Sequence, residues 1–229
     1  MSIADNLSKY KTELEASGVQ LVAVSKFQQA DAVLEAYNAG QRVFGENIVQ
    51  ELVEKQAQLP GDIRWHLIGH LQTNKVKYIA PFISMIESVD SLKLLTEINK
   101  QAAKNNRVID CLLQIYIADE DSKFGLGFDE AVELLRSEEF QAMKHVRIRG
   151  LMGIATNNAS ERQTSEEFKE LKVLFDGIKV SYFRKDEYFN EISMGMSADY
   201  KLAVTAGSTM VRIGSSIFGK RTTKASTAQ

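Results

Sequence analysis

Eight short runs of apolar and β-branched residues alternate with longer stretches of helical periodicity, and this alternation constrains the fold more than any single residue does. The runs cover 21–25, 42–44, 64–67, 84–88, 108–118, 146–154, 189–194 and 210–213, and their length and composition predict strands. Between them, 30–39, 48–58, 73–79, 91–104, 129–140, 160–178 and 197–204 carry amphipathic spacings, for instance Leu92, Leu95 and Ile98, or Phe168, Leu171 and Phe175. Strand then helix, eight times over, predicts an α/β protein built as a (β/α)8 TIM barrel. An extra N-terminal helix within 1–18, with Leu7, Tyr10 and Leu14 on one face, is expected to cap the barrel floor. A doubly wound open sheet shares the alternation. Its glycine fingerprint after the first strand is missing, because Lys26-Phe27-Gln28 stands there.

Local signals agree with this division. Asp90 and Ser91 can cap a helix, Gly40 follows one, and Pro60-Gly61 breaks the chain before a strand. The 229 residues fit one barrel domain, so 1–229 reads as a single unit, with 222–229 a solvated tail. A net charge of -2 argues against a nucleic-acid partner. Hydrophobic residues at 44% and charged residues at 25% suit a soluble protein with a sizeable core. With one cysteine, Cys111, no intrachain disulfide or thiolate cluster can form, and its apolar setting reads as packing. No apolar run approaches the ~18 residues of a membrane span, and the stretch Met1-Ser2-Ile3-Ala4-Asp5-Asn6 has no basic segment followed by an apolar one. The expectation is a cytoplasmic protein without a membrane partner.

In such a barrel the chemistry sits at the C-terminal ends of the strands. Those ends are polar here: Lys26, Glu46 and Asn47, His66, Gly69 and His70, Ser88 and Asp90, Lys123, Met152 and Thr156, Ser193 and Ser197, then Arg212, Gly214 and Ser215. Lys26 closes the run Leu21-Val22-Ala23-Val24-Ser25-Lys26. Burial disfavours an ammonium, and the free amine condenses with aldehydes. Gly214 and Ser215 form a small-residue turn suited to a phosphate, to which Ser197 can add its hydroxyl. Asn47 can meet a ring oxygen, and Arg212 a ring nitrogen. An aldehyde that is also a phosphate ester satisfies both ends. His66 and His70 lie four apart but are separated by strand and turn, with no third ligand, so no metal is expected. The run Asp119-Glu120-Asp121 reads as a solvated loop. The spacing of Glu46, Glu87 and Asp90 selects no acid–base pair.

Six ordered blocks resemble one known family. They are Leu21-Val22-Ala23-Val24-Ser25-Lys26, Phe44-Gly45-Glu46-Asn47, Trp65-His66-Leu67-Ile68-Gly69-His70-Leu71-Gln72-Thr73-Asn74-Lys75, Arg149-Gly150-Leu151-Met152, Ser193-Met194-Gly195-Met196-Ser197-Ala198-Asp199 and Gly207-Ser208-Thr209-Met210-Val211-Arg212-Ile213-Gly214. They look like the signature blocks of the pyridoxal-phosphate homeostasis proteins, similar in fold to the N-terminal barrel of alanine racemase. The resemblance implies pyridoxal 5'-phosphate (PLP) held as a Schiff base on Lys26. It implies phosphate contacts from Ser197, Gly214 and Ser215, Arg212 facing the pyridine nitrogen and Asn47 near the ring; Met152, at a strand end, is counted with this cofactor set as a side chain able to lean on a flat ring, although a methionine there more often packs. One departure is Ser215-Ser216 after Gly214, where many members have threonine then alanine.

The resemblance further implies a role in PLP (vitamin B6) homeostasis with no established turnover; the sequence leaves open delivery to PLP-dependent apoenzymes as partners, shielding of the cell from a reactive aldehyde, or both. An arginine cannot keep the pyridine nitrogen protonated as a carboxylate does, so the ring is a weaker electron sink. Alanine racemases look to a second domain and a partner subunit for a catalytic tyrosine, whereas this chain ends at its barrel, which leans toward a monomer. The alternative is a PLP-dependent amino-acid racemase or lyase; a third is a cofactor-free Schiff-base aldolase. Lys123 is a candidate second PLP site.

Overall fold

The computed structural model describes residues 2–118 and 124–219. In chain order the elements are α1 (Ile3–Glu15), β1 (Gln20–Val24), α2 (Ala30–Asn38), β2 (Val43–Glu46), α3 (Val49–Gln56), β3 (Arg64–Leu67), a 3-10 turn (Thr73–Lys75) leading into α4 (Val76–Ile79), β4 (Met85–Val89), α5 (Leu92–Lys104) and β5 (Ile109–Tyr116). There follow α6 (Phe128–Arg136), α7 (Glu138–Gln141), β6 (Val146–Ile154), α8 (Glu161–Tyr182), β7 (Glu191–Met196), α9 (Tyr200–Thr205), β8 (Met210–Ile213) and α10 (Ser215–Phe218). Every strand pairs in parallel with the next, and β8 pairs with β1, which closes the predicted (β/α)8 barrel.

Side chains alternate across a strand, so residues two apart stack in successive layers of the lumen. Val22, Val43, Met85, Leu112, Met152 and Met210 form one buried apolar cluster that involves no helix, a plug through the middle of the barrel. Two residues further along the same strands come Val24, Glu87, Ile154 and Arg212, which place polar groups and cavity walls directly above the plug. The outer faces of the strands pack against the helices in a larger core that includes the fully buried Phe44, Phe168 and Phe189.

The elements differ from the sequence expectation in four places. α1 does not cap the barrel floor. It packs on the flank against α2, α10 and β1, where Asn6 Nδ2 donates to Ile217 O at 3.1 Å and Glu13 accepts from the Tyr200 hydroxyl at 2.9 Å, so its apolar face covers the β8–β1 seam. The helix expected over 129–140 is two, broken where Ser137 leaves helical geometry and its Oγ accepts from Phe140 N. The stretch 73–79 begins as a 3-10 turn. The helix expected from Ser197 starts at Tyr200, because Asp199 ties back the turn before it. Ser91 and Ser160 cap α5 and α8 with their hydroxyls. The acidic run at 119–121, Lys123 and the tail at 222–229 lie outside the described residues.

Candidate functional site

A cavity of about 580 Å³ opens at the C-terminal ends of the strands. Lys26, Asn47, Ser197, Arg212, Gly214 and Ser215 line it, with Val24, Ile68, Ile154 and Met196 as apolar wall. Two cationic side chains and no carboxylate face this space among the described residues. Such a wall attracts an anion, and its apolar part suits a flat ring.

Arg212 reaches the cavity from β8 through a buried chain of polar groups. Its Nη1 donates to Ser193 Oγ at 2.6 Å and its Nη2 to Gly153 O at 2.9 Å. The Ser193 hydroxyl donates to Glu87 Oε2 at 2.6 Å, and Glu87 Oε1 lies 2.7 Å from His66 Nδ1. Burial pushes the Glu87 carboxyl up, but His66, Arg212 and Ser193 more than offset this and hold it below the ordinary carboxylate value. Burial lowers the Arg212 guanidinium, which Glu87 opposes; a guanidinium stays charged at neutral pH. The site therefore has a fixed positive floor.

Lys26 is half-buried and lies two residues past the end of β1, after the fully buried Ser25. Next to it Phe27 adopts φ +64°, a left-handed conformation that costs a bulky residue about 1–3 kcal/mol. Ser25 Oγ donates to Glu46 Oε1 at 2.6 Å, and Lys55 Nζ donates to the same oxygen at 2.6 Å. Burial raises the Glu46 carboxyl despite Lys55. Asn47 lines the cavity at the end of the neighbouring strand β2, and its Oδ1 is buried without a hydrogen-bond partner. Gly69 fixes it there: a Cβ at 69 would stand 2.6 Å from Asn47 O and 2.8 Å from its Cα. Ser88 Oγ holds Gly69 O at 2.6 Å from behind.

The wall supplied by the ends of β7 and β8 is made of small residues. Ser197 lies in a turn closed by Asp199, whose Oδ1 accepts from Met196 N at 2.5 Å. Gly214 crosses against β1, where a Cβ would meet Val24 O at 3.0 Å. The first N–H groups of the following turn, at Ser215 and Ser216, have no acceptor within the turn itself.

Of the seven residues singled out for the cofactor, the structure brings six to one cavity. Met152 is not among them: it is fully buried in the apolar plug, and Ile154, one layer up the same strand, takes the wall position. The three carboxylates that spacing could not pair have separate partners, Glu46 with Lys55, Glu87 with His66 and Asp90 with His70. His66 and His70 thus serve different carboxylates, and no group of three or more His, Cys, Asp or Glu side chains able to hold a metal occurs among the described residues. Thr156 is turned away to Glu167. Cys111 is buried, and burial raises its thiol. The buried Lys55 went unnoticed in the sequence. Val49, Leu52 and Lys55 recur every third residue and are all buried on α3, the signal that marked it.

Residues 1–222 match the family model described as alanine racemase, N-terminal domain. The pyridoxal phosphate homeostasis protein of Pasteurella multocida is 36% identical over 235 residues, covering 96% of this chain and 98% of the relative. Its counterpart in Schizosaccharomyces pombe is 38% identical over 219 residues, covering 95% and 90%. The solved structure of PipY from Synechococcus elongatus, with PLP bound, superposes with a TM-score of 0.85 at 36% identity, covering 95% of this chain and all of that one. The barrel, the site and the likeness along nearly the whole chain make it a member of the alanine racemase N-terminal domain family and, within it, of the pyridoxal phosphate homeostasis proteins.

Proposed function

We propose that this chain binds pyridoxal 5'-phosphate in the barrel-end cavity and acts in PLP homeostasis rather than in turnover. The observation that carries this is the pairing of Lys26 with Arg212 in a cavity without a lining carboxylate. The fit is supported further by Asn47 Oδ1, a buried acceptor on a cavity-lining residue with no hydrogen-bond partner within the protein. When bound, PLP supplies an aldehyde that condenses reversibly with an amine, a phosphate dianion and a flat pyridine ring. In this assignment Lys26 provides the amine, Asn47 orients the ring substituent, and Ser197, Gly214 and Ser215 hold the phosphate. Arg212 donates toward the ring nitrogen. Two of its donors are already committed to Ser193 and Gly153, and as a permanent cation it cannot hand the nitrogen a proton. That limits the ring as an electron sink and favours carriage over carbanion chemistry.

The alternative, an amino-acid racemase or lyase, draws on the racemase-domain family match. Exchange of substrate α-protons into heavy water faster than with free PLP would favour it. Delivery to PLP-dependent apoenzymes belongs to the carrier assignment; the partly exposed Phe27, Ile48, Ile154 and Met196 beside the cavity offer an apolar rim for such contact. A cytoplasmic monomer completes the proposal. No helix among the described residues is long and apolar enough to cross a membrane.

Titration with PLP tests the assignment. A visible absorption band should grow with saturation, and pyridoxal without its phosphate should bind much more weakly. A colourless protein at excess PLP would refute it.

A further inference from the structure

Lys26 lies between two residues that are both fastened to one cluster of charges on β2 and α3. On one side, Lys55 Nζ donates to Ser25 O at 2.7 Å and to Glu46 Oε1 at 2.6 Å, while Ser25 Oγ donates to that same carboxylate oxygen. Ser25 N is held by Gly45 O at 3.0 Å. On the other side, Phe27 N donates to Glu51 Oε2 at 2.9 Å, and this oxygen lies 3.5 Å from Lys55 Nζ. Lys55 and Glu46 are buried, Glu51 is partly exposed, and none of the three lines the cavity.

Such a cluster is a poor way to stabilise a barrel. A buried ion pair roughly breaks even against well-packed apolar residues, and here Glu46 Oε2 is left with no partner at all. What the cluster does achieve is to fix the backbone on both sides of one residue. Phe27 at φ +64° shows the consequence, since a bulky side chain stays left-handed only where its surroundings over-determine it.

We propose that Lys55, Glu46 and Glu51 form a clamp of positioning residues that act through Ser25 and Phe27 to aim the Lys26 amine at the incoming aldehyde. This rests on the PLP assignment and deepens it. In the step served, the Lys26 nitrogen forms a double bond to the aldehyde carbon, and its two hydrogens leave with the carbonyl oxygen as water. Condensation needs the nitrogen placed along one line of approach, so a small displacement is felt in its rate.

Removing Lys55 would strand Glu46 and can prevent folding, so the test uses Glu51→Ala, Phe27→Val and Phe27→Gly. The clamp predicts that E51A and F27V slow the capture of PLP by roughly tenfold, yet bind pyridoxine 5'-phosphate, which has an alcohol in place of the aldehyde, as the parent protein does. F27G should capture PLP within about twofold of the parent, because glycine enters the left-handed region freely. Hydrogen exchange supplies a readout independent of the cofactor: the Phe27 amide should be protected in the parent protein and exposed in E51A. Parent-like capture rates in both E51A and F27V would overturn the clamp while leaving the PLP assignment standing. Absence of capture in the parent protein itself would overturn both.

Discussion

Glu87 Oε2 and Arg212 Nη1 lie 3.9 Å apart in the barrel lumen, bridged by the Ser193 hydroxyl, and both side chains are almost completely buried. The cation that faces the cavity is therefore set by a carboxylate on the opposite side of the barrel. Removing one partner of such a pair strands the other. Arg212→Met should cost about 3–5 kcal/mol, and the double variant Arg212→Met/Glu87→Gln should recover part of that loss. Urea denaturation of both variants checks it; equal stabilities would show that the pair is not coupled.

The buried carboxyl groups of Glu46 and Glu87 give opposite pH responses. Glu87 is held below its ordinary value when folded, so its contribution is present above the unfolded pKa and lost as pH falls through the folded one. Glu46 is raised, so the folded state holds its proton more tightly, and stability falls as pH rises from the unfolded value through the folded one. Glu87→Gln should flatten the acid limb of the stability profile, and Glu46→Gln should remove the decline above it. Thermal melts from acid to neutral pH separate the two.

Gly69 keeps Asn47 at the cavity by direct backbone contact. Gly69→Ala forces apart atoms that are backbone on both sides, so the barrel should remain while PLP affinity drops by roughly tenfold or more. Equilibrium titration read by absorption measures this; parent-like affinity would show that Asn47 does not touch the ligand.

Much of this was legible in the residues. Parallel strands covered on both faces read as continuous apolar runs, which is why all eight were found and why β3, β6 and β8 match their predicted limits. Strand ends are polar for a reason in a barrel, and that exposed Lys26, Asn47, Ser197, Arg212, Gly214 and Ser215. Met152 stands one lumen layer below the cavity wall, two residues before Ile154, a distinction that only the register between neighbouring strands resolves. Glu87, Ser193 and His66 stand on three different strands, so nothing local ties them to Arg212. The position of α1 depends on a seam that exists only once β8 meets β1. Lys55 carried a local signal, a lysine on the apolar stripe of a helix, but a stripe does not name its partner.

In the proposed function Lys26 captures the aldehyde of PLP. Borohydride reduction of the PLP-treated protein followed by peptide mapping tests it most directly, alongside Lys26→Ala. Label should appear on the peptide containing Lys26, and the variant should lose both label and visible band with its fold intact. Label confined to other lysines, or a variant that keeps the reducible chromophore at full strength, would contradict it.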